Sequence, residues 1–152
     1  MKHFLFVCTG NSCRSVMAEA LFNKMTAGRG DVESSSAGIS ALDGFPASPE
    51  TIKVLQDEEG LNVSRHRSRR LRAEMIETAD KIFVMEQIHR EAIVHAVPQA
   101  KNKVQLLAEY SPEGGKAPQD IDIPDPIRMS GEFYRNVLSV IRGCVKRIVE
   151  GL

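Results

Sequence analysis

Cys8 and Arg14 are separated by five residues in the stretch CTGNSCRS (8–15), which follows an apolar run and precedes a helical pattern. A strand-to-helix turn needs only a glycine and a cap, so this density of Cys, Asn, Ser and Arg calls for a chemical reason. A loop this short can curl until its backbone N–H groups, from Thr9 through Gly10, Asn11, Ser12, Cys13 and Arg14 to Ser15, point inward. Together with a helix N-terminus they form a site sized for one tetrahedral oxyanion. Gly10 and Asn11 are the two residues best able to take the left-handed conformations that such curling requires. Arg14 can bond two oxygens of the anion with its planar fork. Cys8 would sit beneath the anion. The field that holds phosphate also favours thiolate, so Cys8 is expected to be a nucleophile, steadied by a hydrogen bond from Ser15.

Blander readings exist for each part. A lone cysteine at a strand end is most often a small core residue, and a Gly-Asn pair is most often a turn. Cys-x5-Arg-Ser at a strand-to-helix junction outweighs both, because pattern and context agree. A nucleotide-binding loop is excluded, since Gly-x4-Gly-Lys-Ser/Thr is absent and the turn holds no lysine. Cleaving a phosphate ester with a thiolate leaves an alkoxide or phenoxide that a positioned acid should protonate. DIDIPDPI (120–127) offers Asp120, Asp122 and Asp125. Asp125 is held between Pro124 and Pro126, which restrict the backbone on both sides. A cation site built from the three aspartates would lack the spacing of a calcium loop. Zinc is not expected either, for no second Cys/His cluster supplies ligands.

These groups need elements to position them. Phe4–Val7 is apolar without alternation, as in a strand buried on both faces. Ala18, Leu21, Phe22 and Met25 recur at helical spacing towards Gly28. Val32–Gly38, Lys81–Met85 and Val104–Leu107 read as three further strands. Ser48-Pro49-Glu50 signals a helix start, with Gly60 as its stop, and a helix over Gln87–His95 follows the third strand. A last helix from Gly131 carries Phe133, Val137, Ile141, Cys144, Val145 and Ile148 on one stripe, which makes Cys144 a core residue. Alternating strands and helices imply a parallel sheet with helices on both faces, and such sheets hold ligands beyond the C-terminal strand ends. The Cys8 loop leaves the first strand at that edge.

The chain of 152 residues suits one domain, 1–152, with 42% hydrophobic and 26% charged residues. Lys plus Arg and Asp plus Glu each number 20, so no global charge argues for nucleic acid or an anionic membrane. The basic run RHRSRRLR (65–72) reads as a solvated face. The N-terminal apolar run is too short for a signal peptide or a membrane span, so the cytoplasm is the expected compartment. Three cysteines do not make a disulfide framework there.

CTGNSCRS with MAE behind it, SSAGI at the second strand, RHRSRRL and DIPDP together resemble the low-molecular-weight protein tyrosine phosphatase family across essentially the whole chain. The resemblance implies a flavodoxin-like three-layer α/β sandwich with a four-stranded parallel sheet, no metal or other cofactor, and phosphorylated proteins as substrates. By residue matching, Cys8 is the nucleophile, Arg14 the phosphate-binding arginine and Asp125 the general acid, while Asn11, Ser15, Ser36 and a buried His66 support the loop. Cys13 matches a cysteine that in many members pairs reversibly with the nucleophile. A monomer is the default.

Departures from the pattern bear on the substrate. Val16 stands where the family usually has Pro. Ile127 takes the place of a common aromatic after Asp-Pro, and Ser12 that of a bulky aliphatic residue; both would wall the substrate pocket. Bacterial protein arginine phosphatases carry a Thr at the Ser12 position, and a hydroxyl there suits a guanidinium, so phosphoarginine competes with phosphotyrosine. Thioredoxin-coupled arsenate reductases share the loop, but their two relay cysteines are missing from EQIHREAIVHAV (86–97), which leaves only a reductase served by an external thiol carrier. A non-hydrolytic phosphate-binding module is the remaining alternative, although mere binding requires neither thiolate nor acid.

Overall fold

A computed structural model describes residues 1–110 and 122–152. The chain runs β1 (Lys2–Cys8), α1 (Arg14–Met25), β2 (Val32–Gly38), α2 (Pro49–Glu59), α3 (Ala73–Thr78), β3 (Lys81–Val84), α4 (Gln87–Ala96), β4 (Val104–Leu106) and α5 (Gly131–Glu150). Two 3-10 segments, Pro98–Lys103 and Leu107–Tyr110, flank β4. The strands lie in the order β2-β1-β3-β4, all parallel. After β2 the chain crosses to the other side of β1, so the ends of β1 and β3 border the point where the winding reverses, the usual ligand position in such sheets.

Alternation through β1 sorts its side chains between two cores. Phe4, Phe6 and Cys8 face a cluster built with Leu21 and Phe22 of α1, Leu55 of α2 and Leu138 and Ile141 of α5. Leu5 and Val7 face Ile76 of α3, Ile82 and Val84 of β3, and Ile93 of α4. Two covered faces explain the unbroken apolar run. Ser48 Oγ accepts from Thr51 N–H at 3.2 Å, and Gly60 closes α2 in the left-handed conformation at φ 65°.

Several expectations needed correction. β1 extends from Lys2 to Cys8 because β2 pairs along its whole length. Met85 and Leu107 fall just outside their strands. The short α3 is an additional element that the sequence does not mark, having one buried apolar residue, Ile76, and no side-chain cap. On α5, Cys144 is buried as expected, but Phe133 is only half-buried and Tyr134 turns into the core instead. Among the described residues, no helix is long and apolar enough to cross a membrane.

Candidate active site

The loop between β1 and α1 turns on Asn11, a non-glycine residue at φ 52°. Gly10 does not share that conformation, contrary to expectation; one left-handed residue suffices, and the Asn side chain can be satisfied behind the loop. Asn11 is fully buried. Its Nδ2 donates to Ser15 Oγ at 2.8 Å and Ser36 Oγ at 3.0 Å. Its Oδ1 accepts from Arg69 N–H at 2.9 Å, and its backbone oxygen lies 2.9 Å from His66 Nε2. Ser36 passes its own proton to Glu19 at 2.8 Å. Asn11, Ser15, Ser36 and His66 thus meet in one hydrogen-bonded cluster, in which His66 is half-buried rather than enclosed.

Gly38 lets the loop settle there. A Cβ at this position would fall 2.7 Å from both Asn11 N and Thr9 O, closer than real contacts allow. The strap at 65–72 forms the rear wall. Gly38 N–H donates to Arg69 O at 2.9 Å, and the Arg69 guanidinium donates to Ser36 O at 3.3 Å. Its backbone is thus structural, while Arg65, Arg67 and Arg70 remain exposed in the manner expected of the basic run.

Cys8 Sγ lies 3.0 Å from Ser15 Oγ. Ser15 Oγ accepts from Asn11 Nδ2, and it is the donor to the sulfur when Cys8 is a thiolate, which has no proton to give. None of the backbone N–H groups from Gly10 to Ser15 donates to an acceptor among the described residues. Arg14 is 1% exposed. Its NH1 donates to Glu86 Oε2 at 2.7 Å and to Ile123 O at 2.8 Å. Its NH2 donates to Thr9 Oγ1 at 3.3 Å and lies 3.6 Å from Asp125 Oδ2. Its Nε is the one buried side-chain nitrogen or oxygen without a partner among the described residues. A buried guanidinium held at NH1 and NH2 with Nε–H left over can donate to an anion.

Asp125 is 39% exposed, with Oδ1 accepting from Ile127 N–H at 3.1 Å. Ile123 anchors this segment: its side chain is buried, and its N–H donates to Met85 O at 2.8 Å. Asp122 accepts from Gln87 N–H at 2.7 Å, at the start of α4. Asp120 lies outside the described residues. Ile127 is 48% exposed beside the acid, and Ser12 is half-buried with Oγ 3.6 Å from Cys13 Sγ.

The three thiols are free and differently housed. Cys13 Sγ sits among Ser12, Ser48 at 3.4 Å and Tyr134 at 3.6 Å, whose phenol burial holds above its ordinary pKa. Burial pushes the Cys144 thiol up to about 11, an inert core residue.

Sequence reasoning missed Glu86, His89, Gly38 and Ile123. Glu86 had a signal, an acid at the C-terminal end of a buried strand. Ile123 had none, because its part is played by backbone.

The profile of the family described as low molecular weight phosphotyrosine protein phosphatase matches residues 3–152. A protein-arginine-phosphatase of Geobacillus stearothermophilus is 38% identical over 149 residues, 97% of this chain and 94% of that protein. A probable low molecular weight protein-tyrosine-phosphatase, EpsP, of Ralstonia nicotianae is 34% identical over 142 residues, 93% and 90% of the two chains. The crystal structure of a low molecular weight protein tyrosine phosphatase from T. tengcongensis superposes with a TM-score of 0.89 at 37% identity, covering 100% of both chains.

Proposed function

This chain belongs to the low molecular weight phosphotyrosine protein phosphatase family, and from that premise we propose that it hydrolyses phosphotyrosine in proteins through a cysteinyl-phosphate. One observation carries the reading: the loop that begins at Cys8 holds backbone N–H groups, from Gly10 to Ser15, without an acceptor among the described residues, and a buried Arg14 whose Nε has no partner there and whose NH2 stands 3.6 Å from Asp125. In the first step the Cys8 thiolate attacks phosphorus, the P–O ester bond breaks, and Asp125 gives its proton to the departing phenoxide. Ser15 donates to the sulfur, and the amides with Arg14 hold the three equatorial oxygens as charge shifts onto them. In the second step Asp125, now a carboxylate, takes a proton from water. That water attacks phosphorus, the S–P bond breaks, and phosphate leaves with the thiolate restored.

No step requires a metal or other cofactor. A thiolate nucleophile works in a reducing compartment, so we assign the enzyme to the cytoplasm, acting as a single domain over 1–152. In the same reading, Cys13 is the thiol that captures an oxidised Cys8 as a disulfide. A second substrate, phosphoarginine, is favoured by the small hydroxyl of Ser12 and the non-aromatic Ile127.

Hydrolysis of phosphotyrosine and phosphoarginine peptides, with arsenate plus a thiol reductant alongside, tests the proposal. Wild type should release phosphate from the phosphotyrosine peptide, and Cys8→Ser should lose at least 10⁴-fold in turnover. Unchanged turnover in Cys8→Ser would sink the mechanism. A large preference for phosphoarginine would overturn the assigned substrate.

A further inference from the structure

His89 is 2% exposed in the first turn of α4, far in sequence from the Cys8 loop, and its Nε2 reaches that loop at Thr9. Its Nδ1 accepts from Glu86 N–H at 3.1 Å, so the ring proton must sit on Nε2. Nε2 lies 2.9 Å from Thr9 Oγ1 and therefore donates to it. Its 3.5 Å approach to Glu86 Oε2 is a longer contact of that same proton, not an ion pair. Thr9 Oγ1 also accepts from Arg14 NH2 at 3.3 Å. A hydroxyl oxygen has two lone pairs, and both are now occupied. Its single proton is forced away from His89 and Arg14. Thr9 is exposed at the mouth of the loop, directly after the nucleophile.

We propose that His89 is a positioning residue that locks the Thr9 hydroxyl as an acceptor on its inner side, so that its proton is presented outward as a donor to the phosphoryl group or its leaving oxygen. This rests on the phosphatase reading and adds a donor that the backbone amides and Arg14 do not supply. Neutrality of the ring is essential, since a protonated Nδ1 could not accept from Glu86. Burial, and after it the Arg14 guanidinium, hold the His89 pKa below the usual imidazole range, against the pull of Glu86, Asp122 and Asp125. A free hydroxyl rotates; this one would be oriented before substrate arrives, which is what makes a donor effective in a transition state.

The two bonds of the imidazole can be separated by substitution. Asn at 89 can accept from Glu86 N–H but falls short of Thr9. Gln reaches Thr9 with its amide N–H and gives up the Glu86 bond. Hydrolysis of para-nitrophenyl phosphate by wild type, Thr9→Val, His89→Asn, His89→Gln and the Thr9→Val/His89→Asn double variant, with melting temperature beside kcat and KM, reads the proposal. Thr9→Val and His89→Asn should each lower kcat by about tenfold to hundredfold, with the double variant no worse than Thr9→Val alone. His89→Gln should keep kcat within about threefold while melting earlier, since it loses the α4 bond rather than the donor. Multiplying losses in the double variant, a wild-type kcat in Thr9→Val, or a His89→Gln as slow as His89→Asn would each overturn it. The Cys8→Ser control keeps this apart from the reaction assignment: if wild type and Cys8→Ser are equally inactive, the phosphatase reading has failed, and the His89 inference falls with it.

Discussion

Behind the Cys8 loop, each polar atom of the Asn11 side chain has a partner within 3.0 Å. At its front, the Arg14 Nε and the amides from Gly10 to Ser15 have none among the described residues. The two sides of one eight-residue stretch are thus opposite in hydrogen-bond economy. A non-glycine residue in the left-handed region costs of order 1 kcal/mol and persists only where its surroundings over-determine it. The rear supplies that surrounding, which lets the front keep its donors fixed and uncommitted. Donors that need no rearrangement as charge develops are worth most in a transition state. Closure at the back is what makes openness at the front useful.

Substitutions on the two sides should therefore fail differently, and the contrast can be broken by experiment. The largest effect belongs to the front: Asp125→Asn should lower kcat by about 10²–10⁴ on a phosphotyrosine peptide. Because Asp125 is 39% exposed, its melting temperature should barely move. A matching fall in stability would show that front and rear are not separable. Next comes the rear. Asn11→Ala strands Ser15, Ser36 and Arg69 N–H and leaves a left-handed alanine, so chemical denaturation should report a loss on the order of 2–3 kcal/mol together with slower turnover. Intact stability with lost activity would mean that Asn11 acts on the anion rather than on the loop.

Gly38→Ala sharpens the same point without removing any polar group. Its methyl would collide with backbone at Asn11 and Thr9, and the expected cost is about 1–3 kcal/mol. The smallest effect is set by pH. His89 has a depressed pKa in the fold, so an unfolded chain binds its proton more readily. Its contribution to stability is complete above the ordinary imidazole pKa of about 6.5 and is lost as pH falls towards the folded value. Melting temperature should decline below that point in wild type, and His89→Gln should flatten the decline. A steeper decline in His89→Gln would assign the acid limb to another group.

Much of this could be read from local pattern. The nucleophile, the arginine, the strands and the capped α2 all declare themselves within a few residues, through spacing that loops and helices impose at short range. For Asn11, local pattern shows the backbone tolerance; Ser15, Ser36 and His66 beside it come from the family resemblance, and Arg69 from neither. Three of them, Ser36, His66 and Arg69, lie 25, 55 and 58 residues away. Glu86 and His89 act through Arg14 and Thr9, 72 and 80 residues away, a pairing that no local spacing reports.

Local pattern alone specifies a doubly covered parallel sheet with a Cys-x5-Arg loop at the end of β1 and an aspartate fixed between two prolines. Long-range contacts set which groups hold Arg14, namely Glu86, Thr9 and the backbone of Ile123, and bring Asp125 to it. They also bring His89 to Thr9 across 80 residues. The reason is geometric. Parallel register brings the ends of β1, β2 and β3 to one edge, whereas periodicity in sequence reports only which face each residue presents.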